Sequence, residues 1–203
     1  RDGGEWADAD GDGIGDNEDL DDDGDGWGDH YGVSLGGGHG CVIHDGGVDC
    51  WGSNSAGQLN VPMLIEPHVV SAGLDSTCAI DTTGVICWGS NQHGKSSPPN
   101  TLVQPWDVSV GPENACSVDS SGVNCWGWDT EGINDVPDLD APTRVALPHS
   151  NQGYACATDG GEIVCWGTPA NAIARNPPPF STTPSASVAA GSDFVCTLDN
   201  AQV

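Results

Sequence analysis

The sequence predicts an all-β fold: a β-propeller, or an arc of one, with blades of about 40 residues behind an N-terminal calcium-loop segment lacking regular secondary structure. Three observations predict it. Four cysteine pairs share one nine-residue spacing, Cys41/Cys50, Cys78/Cys87, Cys116/Cys125 and Cys156/Cys165, and Cys196 stands alone. The first cysteines recur after 37, 38, 40 and 40 residues, and every complete unit carries Cys-Trp-Gly at its second cysteine. The acids crowd into residues 1–32, which hold 13 of them against Arg1 alone. Helical repeats of similar length need a 3.6-residue periodicity and good helix formers, and the chain has neither.

The acidic segment, residues 1–32, comes first. Residues 8–19 read DADGDGIGDNED. Set on a calcium loop, Asp8, Asp10 and Asp12 take positions 1, 3 and 5, with Gly13 at the turn position 6. The Ile14 carbonyl takes position 7, Asp16 position 9 and Asp19 position 12. Thirteen residues on, Asp21, Asp23, Asp25, the Trp27 carbonyl and Asp29 repeat the pattern, and Gly32 leaves that site one ligand short. Calcium needs hard oxygen ligands on alternate residues and a glycine that lets the chain curl around the ion. A block of like charge is otherwise a solvated tail. Ligand spacing and the repeated glycine favour Ca2+ as the cofactor.

The body, residues 33–203, divides into units 33–69, 70–107, 108–144 and 145–187 and a partial unit 188–203. In the first unit Asp45-Gly46 is a two-residue hairpin turn signal. Pairing about it sets Cys41 opposite Cys50 and residues 42–44 opposite 47–49. Opposed residues lie about 4.5–5.5 Å apart, within disulfide reach. Residues 81–84 (DTTG) and 119–122 (DSSG) suit a type I turn with a glycine bulge, which leaves the register of those units open. Each bridge closes a loop of about ten residues and contributes on the order of 2–3 kcal/mol, in a blade that buries little apolar surface alone. Trp51, Trp88, Trp126 and Trp166 are expected in the core, each followed by a glycine that admits close backbone packing. Segments rich in Pro and Ser, at 96–99 and 176–187, read as loops between blades.

Composition excludes some functions. A formal net charge of -26 argues against nucleic acid and anionic membranes as partners. No run of about 18 apolar residues reads as a membrane helix. Neither a signal peptide nor an initiator Met is visible, so the chain reads as a mature product or a fragment. Eight of the nine cysteines fall at C-x8-C spacing, which is no zinc knuckle and reads as disulfides, hence a secreted, extracellular or cell-surface protein.

The pattern V-x-x-G-x-x-H-x-C…C-W-G-x-N-x-x-G-Q-L resembles the repeat of the regulator of chromosome condensation family. It is fullest over residues 33–59, with Gly36, His39, Gly47, Val48, Trp51, Gly52, Asn54, Gly57, Gln58 and Leu59. The resemblance implies a β-propeller, typically of seven blades, whose secreted bacterial members often carry this cysteine pair and whose relatives bind proteins, among them a secreted enzyme inhibitor. The His39 position becomes Ser76, Asn114, Tyr154 and Phe194 in later units, so no histidine ring forms and His39 is expected to hydrogen-bond locally. The tandem acidic loops resemble thrombospondin type 3 repeats without their cysteines.

No nucleophile elbow, phosphate-binding glycine loop or H-E-x-x-H is present, and the six histidines do not pair at ligand spacing. The expected function is non-enzymatic. It is a calcium-stabilised recognition module for a protein or glycan, within a longer extracellular protein. Two alternatives stand beside it, a subunit of a self-assembling fibre or matrix and an inhibitor of an extracellular enzyme. Cys196 lacks its Cys-Trp-Gly strand, which leaves an open edge at 188–203. Further blades after Val203 are the favoured closure, and self-association with a neighbouring chain is the other.

Overall fold

Hairpins built on the cysteine pairs set the architecture. The computed structural model describes residues 32–44, 47–129, 132–150, 153–168, 185–192 and 194–199. The expected calcium ligands within residues 8–29 lie outside them. Four sheets have three antiparallel strands and a fifth has two. Blade 1 comprises β1 (Val33–Leu35), β2 (His39–His44) and β3 (Gly47–Gly52), in that order. Blade 2 comprises β4 (Val69–Ala72), β5 (Ser76–Asp81) and β6 (Gly84–Gly89). Blade 3 has β7 (Asp107–Val110), β8 (Asn114–Asp119) and β9 (Gly122–Gly127). Blade 4 has β10 (Pro142–Ala146), β11 (Gly153–Asp159) and β12 (Glu162–Thr168). Blade 5 holds β13 (Ser185–Ala190) and β14 (Val195–Asp199).

The turns fix one register throughout. Cys41 pairs with Cys50, Cys78 with Cys87, Cys116 with Cys125 and Cys156 with Cys165. All four disulfides form, across Cα separations of 4.0–4.1 Å. The register left open by the four-residue turns is settled by Asp81 and Asp119. Each carboxylate accepts the backbone N–H two residues on, at 2.7 Å, and the hydroxyl of Thr83 or Ser121 at 2.6 Å. That aspartate-centred turn closes the hairpin with Gly84 or Gly122 at positive φ. The other oxygen of each aspartate accepts from Ile65 or Val103, tying the segment that enters the blade to the blade's own hairpin. Cys196 has no disulfide partner and is exposed.

Successive blades pack face to face, and a single rule governs the seams from blade 1 to blade 4. One face of a blade presents its disulfide with flanking Ile or Val. The next blade answers with its opening valine, the residue two later, and its tryptophan. Cys78, Ile80 and Cys87 thus meet Val108, Val110 and Trp126. Cys116, Val118 and Cys125 meet Val145, Leu147 and Trp166. Polar groups at the seam are matched as well. The Ser34, Ser71 and Ser109 hydroxyls accept from the backbone N–H of Ala72, Val110 and Leu147 in the following blade, at 2.9–3.0 Å. The indoles of Trp88, Trp126 and Trp166 donate to the carbonyls of Gln58, Lys95 and Ile133 in the loop leaving the preceding blade, at 2.7–2.9 Å.

Trp51 departs from the core position expected for it. Trp88, Trp126 and Trp166 are each 8% exposed, whereas Trp51 is 48% exposed, beside Val33 at 64% and Leu35 at 62%. These are the positions that a blade turns to its predecessor, and among the described residues no blade precedes the first. The tryptophan is buried by the seam rather than by its own sheet.

Removing the indole donor strands a buried carbonyl, which costs about 1–3 kcal/mol. W126F and W166F are each expected to lower unfolding free energy by about that amount and W88F by less, because the Gln58 carbonyl keeps the Thr77 hydroxyl, while W51F shifts it by about 0.5 kcal/mol or less. Urea unfolding followed by circular dichroism measures all four.

Candidate recognition surface

The blades expose two unlike ends. At one, the hairpin turn of blade 2 and the segment entering blade 3 surround a cleft of about 720 Å³, lined by Val85, Pro98, Pro99, Leu102 and Trp106 with His68 at its side. At the other end, the loop between first and second strands meets the loop leaving the third. Ser53, Ser90 and Trp128 donate their backbone N–H groups to Gly38, Asp75 and Glu113 there. The glycines after the tryptophans make this possible. A Cβ on Gly89 or Gly127 would stand 2.7 or 2.6 Å from the Asp75 or Glu113 carbonyl, and both glycines have positive φ.

Most of the chemistry gathers at this loop end. His39 is buried, and its Nε2 lies 2.8 Å from the Thr77 hydroxyl of blade 2. The expected local hydrogen bond is therefore a bridge between blades. Thr77 donates onward to the Gln58 carbonyl at 3.3 Å, so Nε2 carries the proton that His39 donates. His39 Nδ1 is buried without a hydrogen-bond partner among the described residues. Burial holds the imidazole below its ordinary pKa, against the pull of Asp75 and with the help of His149. In blade 4 the same position is Tyr154, whose hydroxyl donates to the Gly191 carbonyl of blade 5 at 2.6 Å. In blade 2 it is Ser76, whose buried hydroxyl makes no such bond. Lys95 bridges there instead: 1% exposed, it donates to the Asp75 carboxylate and to the Pro112 carbonyl of blade 3.

Above Lys95 lies a cluster formed by two blades. His93, in the short 3-10 turn Gln92–Gly94, has a left-handed φ of 58°. Its Nδ1 stands 2.7 Å from Glu113 Oε2, and its ring centroid is 3.7 Å from that of Trp128, edge to face. His93 and Glu113 side chains are 39% and 40% exposed, and Trp128 is 40% exposed. Each stands where other units differ: Ser53 and Ser90 in place of Trp128, Ala56 in place of His93, and Gly38 or the shorter acid Asp75 in place of Glu113. Spacing alone did not reveal the cluster, although these three departures from the repeat are visible in the sequence. Among the described residues no group of three or more His, Cys, Asp or Glu side chains is placed to hold a metal ion.

Residues 69–95, which span blade 2 and the loop leaving it, match the family model for the regulator of chromosome condensation (RCC1) repeat. The fold is an RCC1-type β-propeller. The entire ectodomain of the receptor kinase CR4 from Physcomitrella patens is similar at 23% identity and a TM-score of 0.62, over 85% of this chain and 48% of that one. The CRINKLY WD40 ectodomain of the receptor kinase ACR4 from Arabidopsis thaliana is similar at 25% identity and 0.58, over 83% and 58%. Prp20p from Saccharomyces cerevisiae, described by its binding to Gsp1p and histones, shares this propeller at 14% identity and 0.62, over 83% and 56%. The chain thus spans about half of the length of these structures. No curated protein matches it.

One buried acid in the propeller titrates in an unusual range. Asp107 opens β7, and its side chain is 14% exposed. Burial pushes its pKa up to about 6, although the Val145 N–H at 2.7 Å and the Arg144 guanidinium at 3.5 Å favour the charged form. The folded state therefore holds this proton more tightly than the unfolded chain. The resulting stabilisation is present below the unfolded pKa and is lost as pH rises through about 6. D107N is expected to remove about 1 kcal/mol of the stability that wild type gains from Asp107 between pH 7 and pH 5. Urea unfolding of both proteins at the two pH values measures the difference.

Proposed function

We propose that this chain is an extracellular recognition module. Its propeller binds a protein partner through the loop end of blades 2 and 3, and residues 1–32 form a calcium-stiffened segment ahead of it. The observation that carries the reading is the convergence of His93, Glu113 and Trp128. Three residues that the repeat does not require meet at one place on a disulfide-stapled scaffold. His93 is held in a backbone conformation that costs a non-glycine residue on the order of 1 kcal/mol, and such strain concentrates at functional sites. The four disulfides and the likeness to plant receptor ectodomains support an extracellular setting. Prp20p, which binds Gsp1p and histones, supports protein binding as a use of this fold.

The test immobilises the full chain in calcium buffer and captures extracellular proteins from its source. W128A and H93A are expected to lose the captured partner at least about tenfold, while M63A, at a residue 90% exposed and remote in sequence from the cluster, retains it. Capture that survives W128A and H93A would remove the loop end from the reading. In the same buffer, replacing calcium by EDTA should open residues 1–32 to proteolysis; equal resistance in both conditions would remove the calcium segment.

A second reading, assembly of copies into a fibre or matrix, is favoured by the exposed Val33, Leu35 and Trp51 of blade 1. It predicts a sedimentation coefficient that rises with concentration and ceases to do so in V33S/L35S. A constant monomer value in both excludes it.

A further inference from the structure

The cluster at His93, Glu113 and Trp128 has a chemistry that selects among ligands. We propose that it seats a cationic side chain, the guanidinium of an arginine presented by a protein partner. The inference rests on the recognition-module reading and names what that site takes.

An indole face attracts a cation through its quadrupole, and a planar guanidinium can stack on it while pairing with a carboxylate. The structure brings both groups to one place. Trp128 donates its backbone N–H to the Glu113 carbonyl at 3.0 Å, so the indole and the carboxylate spring from adjoining backbone. The His93 contact engages Oε2 of Glu113. A carboxylate has about four lone-pair sites over its two oxygens, so this one keeps acceptor capacity for a ligand. His93 also braces the indole edge to face, which limits the freedom that binding would otherwise have to remove.

The surrounding charge decides the sign of the ligand. The chain has 4 Lys and Arg against 30 Asp and Glu, so its field gathers cations and repels anions. Directly beneath the cluster, the Lys95 ammonium is already buried between Asp75 and the Pro112 carbonyl. Lys95 pairs with Asp75, and Glu113 stays open to solvent near Trp128, as does the neighbouring Asp129. A neutral sugar stacked on the indole would gain nothing from that field.

The experiment titrates the full chain, labelled with nitrogen-15 in calcium buffer, with Nα-acetyl-arginine methylamide. The neutral isostere Nα-acetyl-citrulline methylamide and chitotriose are run beside it. The readout is the Trp128 indole N–H resonance, assigned by its loss in W128F. The arginine probe should shift it saturably with Kd near about 1 mM, as expected of a single side chain. Binding should weaken at least about fivefold in E113Q and about threefold between about 50 and about 300 mM NaCl, and citrulline should leave the resonance in place. Equal shifts with arginine and citrulline, no shift with arginine, or E113Q binding as wild type would each overturn the proposal. A shift with chitotriose alone would overturn it in favour of a glycan. In any of these cases, partner capture lost in W128A would still uphold the recognition module, so the two readings fail separately.

Discussion

Everything in this structure depends on what happens between sheets. A three-stranded blade with one disulfide has too little apolar area to stand alone, so each blade is stable only as one wall of a seam. Burying that seam also removes backbone and indole groups from water, and each needs a partner. The chain meets both demands with residues that recur once per unit. Valine and tryptophan supply the apolar wall. A serine hydroxyl takes the inner-strand N–H, and a loop carbonyl takes the indole N–H. The serine link runs from blade 1 to blade 4. Its position in blade 4 is Ala146, and there Tyr154 carries the seam to blade 5 instead.

This economy also explains where function can reside. Residues committed to seams repeat, and altering one strands a polar group in the next blade. Loops at the ends of the strands carry fewer such obligations. The seam between blades 2 and 3 shows how an exception is accommodated. Ser76 is too short to make the cross-blade bond of His39 or Tyr154, and Lys95 reaches across in its place. The loop that delivers Lys95 also delivers His93, so the structural repair and one member of the cluster with Glu113 and Trp128 lie within three residues of each other.

Local features were legible in the sequence because they are written in neighbouring residues. Asp45-Gly46 and the nine-residue cysteine spacing together specify a hairpin and its bridge. The turns at Asp81 and Asp119 were legible as turns. Their register was not, since it depends on which amides the carboxylate captures, one of them sixteen residues away. The sequence predicts a core position for Trp51 as for its three counterparts, because its sequence context is the same as theirs. What differs is whether a blade stands in front of it. The meetings of His39 with Thr77 and of His93 with Trp128 span 38 and 35 residues and two blades. Periodicity shows that such positions are near neighbours in principle, but not which side chains turn toward each other. The expected calcium ligands lie outside the described residues.

Lys95 is the sole lysine of the chain and is almost wholly enclosed. The folded propeller therefore offers amine-reactive reagents no lysine target while the seam between blades 2 and 3 stays shut. Acylation at this one position, followed over time by mass spectrometry, is a clock for the opening of that seam, with no residue substituted. A repeat protein whose blades are otherwise hard to tell apart thus carries its own site-specific reporter at the joint where His93, Glu113 and Trp128 meet.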